Sequence, residues 1–232
     1  MFNARQLLDQ VMGALPAQGG ADALRRTVQG ATSGGSGQLL TGALAGGLVG
    51  LLAGNRGARR LVGKSAGTAL TLGGLAAVAA IGYTAWQRHR GAAGGSALQL
   101  PPADSAFAPT QPGQETLARG LLVAMIQGAK ADGHIDAGEQ ARIFGQVESL
   151  GLDSAAKAFV MDELAAPLDV NRIAAHSTSP EAAAELYAAS LMAMDPDTDA
   201  ERQFLLRLQG ALRLEAGLAE QIEATVRSEL RG

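Results

Sequence analysis

The chain of 232 residues lacks cysteine and is poor in aromatic side chains, which make up 3% of the sequence. Without cysteine it has no disulfide framework, no CxxC redox motif, no thiolate metal site and no cysteine nucleophile. The remaining residues show no arrangement that identifies a catalytic reaction. These absences favour a non-enzymatic protein.

Charge is unevenly distributed along the chain, although the net charge is only -3. Residues 1–100 carry nine Lys/Arg and two Asp/Glu, whereas residues 101–232 carry ten and twenty. This asymmetry predicts two physically different halves, the first basic and rich in glycine and the second acidic. Because the acidic half would repel nucleic acid, we expect no nucleic-acid partner.

Residues 1–38 are predicted to contain a short amphipathic helix. Asn3 is followed three residues later by Gln6, which is the spacing of a capping box. Asp9 and Asp22 interrupt the apolar core that a secretory signal would need, so we expect no cleavage. Apolar residues at helical spacing then mark one face, namely Leu7, Leu8, Val11, Met12 and Leu15.

Residues 39–90 are predicted to be one or two glycine-rich membrane segments. Within residues 39–54, a glycine recurs at every fourth position, which forms a flat groove where a second helix can approach closely. The partner is either the next apolar stretch or the same stretch in another copy, and the alternative is a flexible low-complexity tract. The helix-packing glycines are Gly42, Gly46, Gly50 and Gly54.

The second apolar stretch, residues 66–86, contains no charged residue and spans about 31 Å as a helix, which is the thickness of a bilayer core. Tyr83 and Trp86 lie at its far end, before Arg88 and Arg90, in the order typical of a membrane interface. We therefore expect membrane lipid as a partner and a transmembrane helix or helical hairpin. The basic residues at 56–64 would contact anionic lipid. The side of the membrane on which the acidic half lies stays open, because basic residues flank both stretches.

Residues 91–114 are predicted to be a linker. This segment is rich in Gly, Ala and Pro and has no periodic apolar pattern. Its prolines favour extended geometry, so a semi-stiff tether at about 3 Å per residue is expected.

Residues 115–232 are predicted to form an all-α domain, because amphipathic helical periodicity recurs with short connections and no alternating strand pattern is sustained. The first helix ends near Ala131, and a second begins at Asp136, with Glu139 placed to bond back to this cap. The later helices are expected at about 154–166, 170–176, 180–194, 199–213 and 216–230, with Ser179 as the cap before Pro180.

A weak internal repeat relates the two ends of this domain. Sliding the sequence by 62 residues places Asp136 and Glu139 on Thr198 and Glu201, with apolar positions recurring in order. The motif at residues 131–136 with Glu139, and the motif at residues 195–201, resemble the TerB-like (tellurite-resistance) helical domain. The glycine-rich first half is similar to the YebE-like inner-membrane branch of that family.

The resemblance implies a domain of about seven helices, a bacterial inner-membrane location, a metal-responsive or stress-linked role, and no established enzymatic activity. The second motif departs from the family pattern at Pro196, which replaces a glycine. The carboxylates of the two motifs suit Ca²⁺ or Mg²⁺, although neither motif has the EF-hand pattern. The alternative is that they are helix N-caps and first-turn acids. The candidate ligands are Asp132, Asp136, Glu139, Asp195, Asp197, Asp199 and Glu201.

The sequence therefore predicts a membrane-anchored, non-enzymatic TerB-like protein. Two functions are compatible with it. The first is a divalent-cation-responsive module that binds protein partners in envelope or metal stress. The second is a structural membrane protein that self-associates through the glycine groove, with the helical domain as a scaffold.

Overall fold

The computed structural model describes residues 3–11, 74–91, 98–108, 113–131, 154–194 and 196–231. In these ranges the chain forms helices joined by turns, and no strand occurs, so the predicted all-α class is confirmed. The helices are α1 (Ala4–Val11), α2 (Gly74–His89), α3 (Gly113–Ala129), α4 (Ser154–Ala165), α5 (Val170–Ala174), α6 (Pro180–Met192), α7 (Asp199–Leu212) and α8 (Ala216–Arg231).

Side-chain caps start several of these helices where the sequence predicts them. Asn3 Oδ1 accepts a hydrogen bond from Gln6 N at 2.8 Å, at the start of α1. Ser179 Oγ accepts from Ala182 N at 3.1 Å, and Pro180 occupies the first helical position of α6. Each cap satisfies an N–H that the helix itself cannot pair, so these starts follow from local chemistry. The helix predicted from Asp136 lies outside the described residues.

Helix α6 lies at the centre of the bundle. Its residues 182–192 are all buried, because α3, α2 and α8 pack around it. The helix α3 comes close to it at Gly128, where an added Cβ would lie 2.5 Å from the Ser190 carbonyl oxygen. Helix α6 is therefore packed on every side, which explains its many alanines.

The described part of the predicted transmembrane stretch, residues 74–86, lies in this same core. Val78 and Ile81 are 0% and 2% exposed, and α2 packs against α8 and α6. Within the described ranges, no helix combines the length and the apolar character needed to cross a bilayer. The prediction of a spanning helix is thus not supported here. Small apolar residues suit a tightly packed protein core as well as lipid. Residues 39–73, with all four groove glycines, lie outside the described residues.

The described part of the predicted linker also differs from a free tether. Residues 98–108, here called the strap, lie across α2, and Phe107 in the strap is 5% exposed. Gln99 N donates to Thr84 Oγ1 of α2 at 2.9 Å. Burial of one aromatic ring outweighs the extended preference of the prolines on either side.

The N-terminal helix α1 docks on the start of α3. The Glu115 carboxylate accepts hydrogen bonds from Ala4 N at 2.5 Å and Arg5 N at 3.4 Å. A carboxylate at this end of a helix also meets the positive end of its dipole. With Leu7 and Leu8 buried in the core, the first described residues form part of the bundle.

Candidate functional site

The acidic segment formed by the turn before α7 and the first turn of α7 contains three of the predicted cation ligands, Asp197, Asp199 and Glu201. Glu201 accepts hydrogen bonds from Thr198 N at 3.0 Å and from Thr198 Oγ1 at 2.7 Å, and Thr198 Oγ1 accepts from Glu201 N at 3.2 Å. This is a complete capping box. Asp199 Oδ1 accepts from Arg202 Nη2 at 2.6 Å, and Arg202 also donates to the Asp197 carbonyl at 2.9 Å.

These contacts match the helix-cap interpretation of the second motif. Glu201 and Asp199 are held by protein donors, and in the part of the chain that is described no three His, Cys, Asp or Glu residues gather as a metal site would require. The cation-ligand assignment is therefore not supported for Asp197, Asp199 and Glu201. The other candidates, Asp132, Asp136, Glu139 and Asp195, lie outside the described residues.

A buried carboxylate, Glu163, joins three helices. Its side chain is 3% exposed. Gln127 Nε2 of α3 donates to Glu163 Oε1 at 2.7 Å, and Arg172 of α5 donates to both carboxylate oxygens, at 3.0 and 2.5 Å. Lys130 Nζ donates to the carbonyls of Glu163, at 3.2 Å, and of Ala166. A bidentate arginine with a neutral amide satisfies a buried carboxylate well.

The electrostatics of this cluster are those of a structural clamp. Burial alone would raise the pKa of Glu163, but the hydrogen bonds from Arg172 and Gln127, together with the charges of Arg172 and Lys130, outweigh burial and hold the pKa below its ordinary value. Burial lowers the pKa of Lys130, against the opposing effect of the Glu163 charge. Glu163 is thus kept ionised and fully engaged, which suits stability and not proton transfer.

A second buried carboxyl, Glu185 of α6, has the opposite environment. It is 0% exposed, and neither of its carboxyl oxygens has a hydrogen-bond partner among the described residues. A Cβ added at Gly82 of α2 would lie 3.3 Å from Glu185 Cγ and 3.2 Å from Phe107 Cε1. Burial raises the pKa of Glu185 well above its ordinary value, and the charge of Glu181 adds to this shift. Burial therefore favours the neutral form of this carboxyl.

Phe107, which also lies close to Gly82, belongs to an aromatic cluster. Phe107 packs edge-on against Tyr83 and against Trp86, with ring centroids 5.7 Å apart in each pair. The guanidinium of Arg90 lies 5.4 Å from the centre of the Trp86 ring. The strap and α2 thus share an aromatic cluster, and the Glu185 side chain of α6 approaches α2 at the same glycine as Phe107.

Sequence reasoning missed both buried carboxylates. Glu185 stands in an alanine-rich helix where a glutamate usually faces solvent, and only the apolar character of the whole segment could have indicated burial. Glu163 gives no local signal, because its partners are 36 residues upstream and nine residues downstream. His89 has no acidic neighbour in sequence, but its Nε2 lies 3.1 Å from Glu215 Oε2, a contact that only the fold creates.

Comparison with known proteins identifies the family. The model described as "Protein of unknown function (DUF533)" matches residues 38–226. A protein of Yersinia enterocolitica, described as "Uncharacterized protein in ampR 5'region", is 29% identical over 109 residues, which cover 47% of this chain and 78% of that protein. No solved structure gives a significant match. Since the family model covers most of the chain, the chain belongs to the DUF533 family.

Proposed function

We propose that this chain is a non-enzymatic helical interaction module of the TerB-like type. The DUF533 family is related to TerB-like domains, which supports the proposal. The observation that carries it is that polar side chains of the bundle join helices to one another or cap helix ends. Glu163 ties α3, α4 and α5 together, Tyr187 Oη donates to Glu223 at 2.8 Å across α6 and α8, and Glu201 caps α7. These groups hold the scaffold together, and the module acts through its surface.

The proposed module responds to divalent cations through its first acidic motif. Asp132 and Asp136 stand one helical turn apart in sequence, with Glu139 three residues further on. Hard oxygen ligands at this spacing suit Ca²⁺ or Mg²⁺. Because Asp199 and Glu201 already bind protein donors, we assign the cation response to the first motif and not to the second.

Thermal denaturation of the full-length chain with Ca²⁺, Mg²⁺ or Mn²⁺ tests this assignment. The full chain is needed because α1 and α2 pack into the bundle. A cation at about 100 times its dissociation constant stabilises the folded state by about 2.7 kcal/mol, and each kcal/mol raises the melting temperature by roughly 2–4 °C. The rise should vanish in the variant Asp132→Ala/Asp136→Ala and persist in the matched variant Asp199→Ala. No rise in the wild type, or an equal rise in the double variant, would contradict the cation response.

A membrane role is proposed for residues 39–73 alone, because residues 74–86 pack in the protein core. The specific feature that favours self-association is the four-residue spacing of Gly42, Gly46, Gly50 and Gly54. Gly46→Leu with Gly50→Leu should dissociate detergent-solubilised oligomers, whereas Gly47→Leu, outside this register, should not. Oligomers of unchanged size in the first variant would remove the self-association role. Complete extraction of the chain from membranes by alkaline carbonate would remove the membrane role.

A further inference from the structure

The strap and Glu185 approach the same point of α2, and Glu185 is a buried acid without a hydrogen-bond partner among the described residues. Both Glu185 oxygens lie fully buried without a hydrogen bond among the described residues, and Ser105 Oγ in the strap is buried in the same condition. Buried polar groups are nearly always paired, so an unsatisfied side chain in the strap and another in α6 are unusual. Each unsatisfied group makes the arrangement in which the strap lies on α2 less stable than an arrangement in which water can hydrogen-bond to that group.

The strap is the element that can move at least cost. It has no helical hydrogen-bond ladder, and its described backbone bonds are local turns, from Ser105 N to the Pro102 carbonyl and from Ala108 N to the Ser105 carbonyl. It is fastened to α2 by the bond from Gln99 N to Thr84 Oγ1 and by the Phe107 ring. Segments with few such fastenings open before the helices they cover.

We infer that Phe107 and Glu185 form a proton-dependent latch, in which the strap stays closed over α2 while Glu185 is neutral and opens when Glu185 ionises, exposing Tyr83 and Trp86. The geometry carries this inference, since the Phe107 ring and the Glu185 side chain meet at the same point, Gly82. No cation among the described residues acts on this carboxyl, so an ionised carboxylate there would have to reach water. The inference goes beyond the proposed function and does not depend on it.

The other charged groups of the surrounding elements are engaged elsewhere. Glu181, one turn before Glu185, is the described charge that acts on it. Other described charges on these elements have their own contacts or face solvent: Arg88 bonds to Thr225, Arg90 lies over Trp86, Lys130 bonds to the Glu163 and Ala166 carbonyls, Arg119 lies over Phe159, Glu115 accepts from Ala4 N and Arg5 N, Glu223 accepts from Tyr187, and Asp104 is exposed. Protonation of Glu185 is therefore the way its charge is removed in the closed state.

The direction of the pH effect follows from proton binding. In the open state the Glu185 carboxyl has its ordinary pKa near 4.5, while in the closed state burial raises the pKa well above that value. Above pH 4.5 the closed state therefore binds more protons than the open state. The open-to-closed ratio then rises by up to about tenfold for each pH unit, until the closed-state pKa is reached.

The chain contains one tryptophan, Trp86, and it contacts Phe107, so its fluorescence reports directly on the strap. The purified full-length chain should show red-shifted Trp86 emission and stronger quenching by acrylamide as the pH rises from about 5 to about 9, with unchanged far-UV circular dichroism. Glu185→Gln should abolish this dependence. If Glu185→Gln does not fold, Glu185→Met, which is apolar and similar in volume, should give the same flat profile. Glu181→Gln should reduce the total change of emission, because removing this charge lowers the closed-state pKa at which the rise of the open-to-closed ratio ends.

Three results would overturn the latch. The first is a wild-type emission that does not change over this pH range. The second is a pH dependence that persists in Glu185→Met. The third is a simultaneous loss of helical dichroism and shift of emission, because the whole bundle would then be unfolding.

Discussion

A single methyl group added at Gly128 should destabilise the bundle, although alanine is the better helix former. A Cβ at this position would lie 2.5 Å from the Ser190 carbonyl oxygen and 3.1 Å from the carbonyl carbon. These are backbone atoms of the central helix α6, so they cannot move aside as a flexible side chain could. Forced overpacking of a core costs about 1–3 kcal/mol. The gain in helix propensity is at most about 1 kcal/mol, so we expect Gly128→Ala to lower the free energy of unfolding by about 1–2 kcal/mol.

Gly210 provides the matched control. It also lies in the last turn of a helix, α7, but it is exposed and a Cβ there would meet no atom within 4 Å. Gly210→Ala should therefore raise stability by up to about 1 kcal/mol through helix propensity alone. The two variants should shift the melting temperature in opposite directions, by roughly 2–4 °C per kcal/mol.

Chemical and thermal denaturation followed by far-UV circular dichroism measure both shifts. An unchanged denaturant m-value would show that the unfolded states are comparable. The reasoning is refuted if Gly128→Ala is as stable as the wild type or more stable, because α3 and α6 could not then approach as closely as the structure shows.

Three further substitutions test local features. Arg213 ends α7 with a left-handed φ of 54°. Arg213→Gly should therefore raise the free energy of unfolding, measured by denaturation, by about 0.5–1 kcal/mol, and a lower value would contradict the strain at this cap. Thr198→Ala should cost about 1 kcal/mol, because Glu201 N loses its acceptor, and a neutral effect would deny the capping box its role. Arg172→Ala should cost about 2 kcal/mol at neutral pH, less than a fully buried pair, because Arg172 is 44% exposed. Because the fold lowers the pKa of Glu163, the ion pair contributes fully to the free energy of unfolding above about pH 4.5. This contribution is lost as the pH falls further, so the loss of stability caused by Arg172→Ala should become smaller there.

Local signals in the sequence predicted most of the helices that are described. Ser179 and Pro180 mark the start of α6, Thr198 and Glu201 mark the start of α7, and Asn3 marks the start of α1, each through contacts within three residues. Such contacts depend on spacing along the chain and on little else. They can therefore be predicted without knowledge of the fold.

The environment of α2 could not be predicted in the same way. An uncharged helix of alanine, glycine and a few larger apolar residues has the same pattern whether lipid or protein surrounds it. What distinguishes the two cases here is tertiary. Gly82 receives Phe107 and Glu185, and Arg88 Nη1 donates to Thr225 Oγ1 of α8 at 3.0 Å. These partners are more than twenty residues away in sequence, and no periodicity encodes them.

The candidate sites show the same division. The capping role of Glu201 follows from its distance to Thr198 in sequence, and the sequence allowed for it as an alternative to cation binding. Glu163 and Glu185 are both buried glutamates on helices, yet the pKa of Glu163 is lowered beside Arg172 whereas burial raises the pKa of Glu185. Only the packing of the helices decides which acid has a cation within reach.

The contact between α2 and α6 tests the architecture most directly. Since the chain has no native cysteine, the pair Gly82→Cys and Glu185→Cys can be read without background. A Cβ at position 82 lies 3.3 Å from Cγ of residue 185, which is close enough for a disulfide to form. Mild oxidation of the folded full-length variant should give an intramolecular disulfide, detected by peptide mass spectrometry, whereas Gly210→Cys with Glu185→Cys should keep both thiols free. Free thiols in the first pair would contradict the placement of α2 within the bundle.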